Sequence, residues 1–220
     1  MMKSDLVATS ARERTLSALL AVIAGGALIL QLVLLLSLTR DSIGPLLATI
    51  RYFSYFTILS NILVALVCSW VAFGTDARIE SLFATRLRGA AALYIAVTGG
   101  IYGTVLQGLW QPQGAQWLAD VSLHYVVPAL YLLLWLLFSP KGRLRWSDAL
   151  RWLAFPLAYL LWALWRGSWA HEYPYPFLDL AVLGLPKVLR NAFAVAGLFL
   201  ALGLVLVAID RALGRGSRRK

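Results

Sequence analysis

Long runs of apolar residues alternate with short polar connections along the chain, and this pattern is the strongest structural signal in the sequence. A bilayer core about 30 Å thick needs roughly 20 mainly apolar residues per helix. Six runs approach that length, and we predict one membrane-spanning helix for each. The runs cover residues 16–38, 52–73, 89–110, 121–138, 149–166 and 188–209. The sequence therefore predicts an all-α, polytopic integral membrane protein with six transmembrane helices.

The composition also favours a membrane location. Of the 220 residues, 60% are hydrophobic and only 14% are charged, and the mean hydropathy is +0.75. An ordinary soluble domain is about half apolar and a quarter charged. A net charge of +10 can indicate nucleic-acid binding, but basic residues placed between apolar runs are typical of membrane orientation. We therefore expect the lipid bilayer as a partner and no nucleic acid.

The basic residues are divided unequally between alternate connections, which predicts the orientation of the chain. The N-terminal segment, the second and fourth connections and the C-terminal tail carry 15 of the 20 Lys and Arg residues. Because the basic side of a membrane protein is cytoplasmic, both termini are predicted to lie in the cytoplasm. The predicted divisions are a cytoplasmic N-terminus (1–15), a single six-helix transmembrane domain (16–210) and a basic cytoplasmic tail (211–220).

The sequence lacks the motifs of nucleotide, zinc and α/β-hydrolase sites, since GxxxxGK[ST], HExxH and GxSxG are all absent. The single cysteine, Cys68, lies within an apolar run and cannot form an intramolecular disulfide. Of the two histidines, His171 falls in a predicted loop without ligand-like spacing to another donor. We therefore expect neither a metal nor an organic cofactor.

Polar side chains inside the apolar runs are the first candidates for function, because they are costly in a membrane and usually face a bundle interior or a cavity. Ser54, Thr57 and Asn61 follow one another at i, i+3 and i+7, which places them on one helical face. His124 is the only histidine inside a predicted span. In the predicted topology Ser54 and His124 both lie near the outer boundary, so a polar pocket is expected in the outer half of the bundle.

Other parts of the chain are predicted to contribute polar and aromatic groups to this pocket. They lie in the third run, at the end of the fifth run and in the loop that follows it: Tyr102, Tyr159, Trp162, Arg166, Tyr173 and Asp179. Structural roles compete with these assignments, because aromatic residues gather at membrane interfaces and long cationic side chains reach towards water. For Arg166, the functional alternative is a clamp on a substrate carboxylate.

A hydroxyl and an imidazole at the same depth suit nucleophilic catalysis, because serine and threonine become reactive when a neighbouring base takes their proton. We predict Ser54 as the nucleophile and His124 as the general base. Asn61 or Tyr102 is the predicted donor to a developing oxyanion. Asp120 or Asp179 is the predicted carboxylate that orients the imidazole. The structural alternative is that the hydroxyls bond a backbone carbonyl one turn back.

Five short stretches of the chain, taken in their order and spacing, carry a family resemblance. They begin at Tyr52, Gly100, His124, Pro156 and Tyr173, and read YFSYFTILSN, GIY, HYVVP, PLAYLLW and YPYPFLD. Together they resemble the bacterial Pr6Pr membrane proteins and, more distantly, the eukaryotic family of androgen-induced membrane proteins. The resemblance covers most of the chain from the second run to the sixth, and it implies a multi-pass protein of the bacterial inner membrane.

The eukaryotic branch of this resemblance implies a chemistry. Its members are described as transmembrane threonine hydrolases that cleave fatty acid esters of hydroxy fatty acids with a paired Thr and His. Aligned by eye, the Thr position falls on Ser54 and the His position on His124. The chain departs from the pattern at several points: Ser replaces Thr, Thr57 is a competing nucleophile one turn on, the proline after His124 follows three residues instead of four, and Leu134 stands where an acidic residue is expected in bacterial relatives.

The residues and the resemblance together favour an intramembrane Ser/Thr-type hydrolase of lipid-like esters. A non-catalytic binder or transporter of an amphipathic small molecule or lipid is the alternative, because it needs the same cavity. The sequence has no internal repeat of the kind common in transporters. A third hypothesis is a scaffold in which the polar residues only hold helices together.

Overall fold

The computed structural model describes residues 9–75 and 81–217, and within these two ranges the chain is all-α. Its helices are α1 (Ala11–Thr39), α2 (Gly44–Tyr52), α3 (Phe56–Phe73), α4 (Leu82–Ile101), α5 (Ala115–Val121), α6 (Val127–Phe138), α7 (Trp146–Arg151), α8 (Ala154–Ala170), α9 (Leu180–Leu183) and α10 (Leu185–Ser217). A π-helical segment, Tyr102–Leu106, continues α4, and a second one, Ser122–Val126, joins α5 to α6. Five of the basic residues that predicted the orientation lie outside the described residues: Lys3, Arg78, Arg218, Arg219 and Lys220.

Five stretches are long and apolar enough to cross a membrane: Ala11–Thr39, Phe56–Phe73, Leu82–Leu106, Ala115–Phe138 and Leu185–Arg215. They coincide with five of the six predicted spans, and their many exposed apolar side chains fit contact with a lipid bilayer. The remaining predicted span, residues 149–166, covers the end of α7, a turn at residues 152–153 and most of α8. That helix has 17 residues, which is about 26 Å at ~1.5 Å per residue.

Most predicted spans differ from the observed helices only at their ends, but the second and the fifth are interrupted. Residues 52–73 were expected to form one helix, whereas α2 ends at Tyr52 and α3 begins at Phe56. Tyr52 Oη donates to the backbone oxygen of Leu28 at 2.7 Å, and Leu28 lies well inside α1. The break between α2 and α3 therefore lies within the bundle and not at its surface.

Tyrosine hydroxyls bind the backbone groups that this break leaves free. Tyr159 Oη donates to the backbone oxygen of Ser54 at 2.9 Å, and the backbone N–H of Thr57 donates to Tyr175 Oη at 3.3 Å. A non-helical backbone within a membrane is tolerated only where such partners or a cavity satisfy its polar groups. The partners come from more than 100 residues away in the chain.

The second irregularity, the π-helical segment Ser122–Val126, directly precedes α6. Pro128, the second residue of α6, has no N–H and cannot bond the carbonyl of His124. α4 packs closely against this carbonyl: a Cβ added at Gly99 would lie 3.1 Å from His124 O and 3.3 Å from Pro128 Cβ. The absence of a side chain at Gly99 therefore lets α4 approach the π-helical segment that contains His124.

One end of the bundle is defined by buried ion pairs, and we refer to it as the ion-pair end. Arg88 Nη2 of α4 pairs with Glu13 Oε1 of α1 in a fully buried contact. At the same end the loop before α7 bonds α10, with Gly142 N–H donating to the backbone oxygen of Asp210 at 3.0 Å. The start of α1 and the last turns of α10 thus lie at one end of the bundle.

The opposite end, where α8 finishes, contains the candidate site, and we refer to it as the cavity end. An aromatic cluster holds α8 against its neighbours: the Phe56 ring of α3 lies 5.2 Å from Tyr159 and 5.5 Å from Phe155 of α8, and 5.5 Å from Phe199 of α10. Edge-on aromatic contacts of this kind add to the stabilisation from burial. They fix the first half of α8 beside the broken span.

Candidate functional site

A cavity of about 470 Å³ opens at the cavity end. It lies between α1, the α2–α3 break, both π-helical segments and the loop after α8. Its polar lining residues are Gln31, Thr39, Arg51, Tyr55, Thr57, Tyr102, Gln116, Asp120, His124 and Tyr175. The volume falls within the range of pockets that bind small molecules. The lining includes Thr57 of the second predicted span and His124 of the fourth.

His124 points its two ring nitrogens at different partners. Nδ1 bonds the backbone oxygen of Asp120 at 3.0 Å and lies 3.2 Å from Asp120 Oδ1, which is buried and makes no hydrogen bond. Nε2 lies 3.4 Å from Thr57 Oγ1. A carbonyl oxygen only accepts hydrogen bonds, so Nδ1 carries the proton in the neutral ring. Nε2 is then the free base, and it faces the Thr57 hydroxyl.

Two contacts with Tyr102 fix the Asp120–His124 pair. The phenol of Tyr102 donates to Asp120 Oδ2, and its ring stacks on the imidazole with centroids 3.7 Å apart and planes 14° apart. All three residues lie in or beside the π-helical segments, which occur frequently at functional sites. Tyr102 therefore holds both the carboxylate and the imidazole, and its hydroxyl hydrogen is already engaged.

Tyr175 is a second neighbour of Thr57. Its hydroxyl accepts the backbone N–H of Thr57 at 3.3 Å and lies 3.4 Å from Thr57 Oγ1. The ring stacks on Phe177 with centroids 5.2 Å apart. The Thr57 hydroxyl thus lies between an imidazole and a phenol in a part of the bundle that is largely shielded from solvent.

The structure brings His124 to Thr57 and not to Ser54, the expected nucleophile. Ser54 is completely buried and lines neither this cavity nor the apolar cavity described below. Its hydroxyl donates to the backbone oxygen of Ile50 at 2.6 Å and accepts from Trp162 Nε1 at 3.2 Å. Serine hydroxyls in helices commonly bond the carbonyl one turn back, and here α2 supplies that carbonyl. These contacts are those expected of Ser54 in its structural alternative.

Asn61 links the second and fourth spans. The amino-acid sequence alone does not reveal that these two spans are in contact. The Asn61 amide nitrogen donates to the backbone oxygens of Thr57 at 2.8 Å and of Leu123 at 3.1 Å. Both N–H groups of the amide are used, and the residue has no exposed surface. Asn61 and Tyr102 were expected as oxyanion donors, but their hydrogens are committed to other partners, which leaves Tyr175 as the phenol beside the nucleophile.

The remaining predicted site residues support the walls of the site. Tyr159 and Trp162 bond Ser54, as described above. Arg166 bonds Glu172 through its backbone oxygen at 3.1 Å and through Oε2 at 3.3 Å. Tyr173 packs over Gly167, where an added Cβ would overlap its ring. Asp179 caps α9 by accepting the N–H groups of Ala181 and Val182, so the carboxylate beside His124 is that of Asp120.

A second, smaller cavity of about 80 Å³ adjoins the polar one. Its lining is almost entirely apolar and comes mostly from α4, α8 and α10, with contributions from α3 and the loop after α8. Thr57, Leu106 and Tyr175 line both cavities. Thr57 therefore lies on the boundary between a polar space and an apolar one.

Two members of the site had little weight in the sequence analysis. Asp120 was one of two candidate orienting groups, and Tyr175 was only part of the stretch YPYPFLD. Within the described ranges, no group of three or more His, Cys, Asp and Glu residues is arranged to hold a metal ion. The chemistry that the site residues offer is proton transfer and nucleophilic attack.

Comparison with known protein families, with curated proteins and with solved structures finds no match to this chain. The resemblance to the Pr6Pr and androgen-induced membrane proteins therefore stays a prediction.

Proposed function

We propose that the protein hydrolyses an amphipathic, lipid-like ester, with Thr57 as nucleophile, His124 as general base and Asp120 as the residue that orients the imidazole. The observation that carries this proposal is the order of contacts from Asp120 through His124 to Thr57 along one wall of the cavity. A hydroxyl, a base and an orienting carboxylate in this order define the triads of hydrolases on unrelated folds.

The proposed reaction has two stages. His124 Nε2 takes the hydroxyl proton as Thr57 Oγ1 attacks the ester carbonyl, and the same proton then passes to the departing alcohol. Water from the cavity attacks the acyl-threonine while His124 accepts one of its protons, and the returning proton restores the Thr57 hydroxyl as the carboxylic acid leaves. Throughout, Asp120 keeps the proton of Nδ1 in place and offsets the positive charge on the ring.

Tyr175 is the proposed donor to the oxyanion that forms during each attack. Its hydroxyl accepts the Thr57 N–H and lies beside Oγ1, so its hydrogen is available for a negatively charged oxygen at this point. The apolar cavity beyond Tyr175 would take the acyl chain, and the larger polar cavity would take the alcohol portion and the attacking water.

The same proposal includes the orientation of the protein. Six spans with both termini in the cytoplasm require α8 to cross with the other five helices. This is supported by its course: Tyr94 Oη bonds the backbone oxygen of Trp152 just before α8, and Arg166 pairs with Glu172 beyond the Ser54 contacts. The cavity would then open on the outer face of a bacterial inner membrane.

Hydrolysis of p-nitrophenyl esters by the purified protein in neutral detergent tests the proposal. Thr57→Val keeps the shape of the side chain and removes the hydroxyl, so we expect the rate to fall by roughly a thousandfold or more. Thr57→Ser should retain measurable turnover. Ser54→Ala is the matched control and should stay within a few-fold of the wild type.

Thermal unfolding of each variant establishes that the folds are comparable. Equal turnover by the wild type and Thr57→Val would contradict the proposal. If the folded wild type binds these esters without hydrolysing any of them, the non-catalytic binder is the correct function.

A further inference from the structure

Two guanidinium groups at the cavity end share one carboxylate. Arg51 Nη2 lies 2.8 Å from Glu172 Oε1, and Arg166 Nη2 lies 3.3 Å from Glu172 Oε2. Arg51 is in the last turn of α2, Arg166 is near the end of α8, and Glu172 is in the loop between α8 and α9. Among the described residues, no second carboxylate forms an ion pair with either arginine, so this cluster has one excess positive charge.

The donors of the cluster are only partly used. The Nε atoms of Arg51 and Arg166 are both buried and have no hydrogen-bond partner. A guanidinium has five N–H donors and no acceptor, and an unpaired buried donor is costly. A ligand with acceptor oxygens that reached Arg51 would neutralise the excess charge of this cluster.

The two arginines differ in their access to the cavity. The Arg166 side chain is only 5% exposed and lines no part of the polar cavity, and it also bonds the Glu172 backbone. Arg51 is 31% exposed and lines the same cavity as Thr57 and His124. Arg166 therefore positions Glu172, whereas Arg51 contacts both Glu172 and the space in which a ligand would bind.

We propose that Arg51 is an anion-binding residue of the polar cavity, and that the ligand is an amphipathic molecule with a carboxylate or phosphate group at its polar end. Both groups match the planar fork of a guanidinium. The inference rests on the proposed function only in assigning the ligand to the same cavity. In a hydrolytic enzyme, the bound anion would belong to the alcohol portion of the ester, because the apolar cavity lies on the other side of Thr57.

Binding measurements test this inference separately from hydrolysis. The probes are dodecanoate, dodecyl phosphate and 1-dodecanol, which share one apolar chain and differ in the polar group, with the protein in neutral maltoside detergent. Because a hydrogen bond to an ionised group is roughly twice as strong as one between neutral groups, the wild type should bind at least one anion roughly tenfold more tightly than the alcohol. The ratio of the two anions identifies carboxylate or phosphate as the preferred group.

Arg51→Gln should remove the preference for the anion, and Arg51→Lys should restore part of it, because a lysine keeps the charge without the fork. Arg190→Gln is the matched control: it removes an exposed cation of α10 that lines neither cavity, and it should leave the preference unchanged. Equal affinity of the wild type for all three probes, or a preference that survives in folded Arg51→Gln, would overturn the inference. Ester turnover without any preference for anions would overturn it while leaving the hydrolase proposal intact.

Discussion

The cavity end and the ion-pair end of the bundle both contain buried polar side chains, but they differ in backbone and in space. At the ion-pair end, Arg88 and Glu13 pair directly between regular helices, and the cavity beside Arg88 measures only about 10 Å³. At the cavity end, one span is broken and two helices contain π-helical segments. His124, Asp120 and Thr57 there line about 470 Å³ of open space.

The comparison teaches that buried polarity does not by itself mark a functional site in a membrane bundle. Polar groups that satisfy one another at a tight helix contact stabilise a structure. Polar groups that are held by irregular backbone, with one donor or acceptor still facing a cavity, are available for chemistry. Substitutions at the cavity end should therefore change activity, and substitutions at the ion-pair end should change stability.

The largest expected effect is on catalysis at the cavity end. Asp120→Asn keeps the size of the side chain but replaces the carboxylate beside His124 Nδ1 with an amide. We expect turnover to fall by roughly 10²- to 10⁴-fold, because the imidazole keeps its bond to the backbone oxygen of residue 120 but loses the charge that offsets its positive form. Steady-state ester hydrolysis measures the loss. An unchanged rate in a folded variant would remove Asp120 from the proposed triad.

The next effect should be a loss of stability at the ion-pair end. Arg88→Leu leaves Glu13 buried without its partner, and breaking a buried pair on one side costs about 3–5 kcal/mol. The double variant Glu13→Leu, Arg88→Leu should recover much of this loss, since no uncompensated charge is left. Chemical denaturation in detergent gives both values. A double variant as unstable as the single one would contradict this interpretation of the pair.

A smaller effect on stability is expected where α4 packs against the π-helical segment that contains His124. Gly99→Ala would place a methyl group 3.1 Å from the His124 carbonyl, and overpacking of this kind costs about 1–3 kcal/mol. Because this backbone carbonyl belongs to His124, the proposed general base, turnover should also fall. Gly100→Ala is the control, since nothing lies within 4 Å of its added Cβ. Equal stability of the two variants would show that the packing at Gly99 is not tight.

The smallest expected effect is a dependence of stability on pH at the ion-pair end. Burial lowers the pKa of the Lys141 ammonium to about 8, although the nearby Asp210 acts in the opposite direction. The folded pKa is below the unfolded value of 10.5, so the unfolded chain binds more protons between these values and stability should rise with pH from about 8 to 10.5. Thermal unfolding of Lys141→Met should show a smaller rise than the wild type. Parallel curves would contradict this assignment.

The sequence predicted much of the fold because apolar runs and basic connections are local signals. It did not reveal the break between α2 and α3, since the tyrosines that satisfy the freed backbone, Tyr159 and Tyr175, come from more than 100 residues away. Neither residue 53 nor residue 54 nor residue 55 is a proline or glycine. Only the packed structure shows why the chain leaves the helix here.

The candidate site was predicted in part for the same reason. Ser54 and Thr57 lie on one face and are chemically similar, so sequence could not decide between their hydroxyls. In the structure the Ile50 carbonyl of α2 accepts the Ser54 hydroxyl, and the π-helical segment before Pro128 places His124 next to Thr57. His124 itself was predictable because a histidine within an apolar run is rare and costly.

The central claim is that Thr57 and not Ser54 is the nucleophile paired with His124. Reaction of the folded protein with a fluorophosphonate, followed by mass spectrometry of the labelled peptides, tests it directly. The account predicts an adduct on Thr57, abolished in Thr57→Val and in His124→Ala and retained in Ser54→Ala. An adduct on Ser54, or labelling that persists in Thr57→Val, would contradict it.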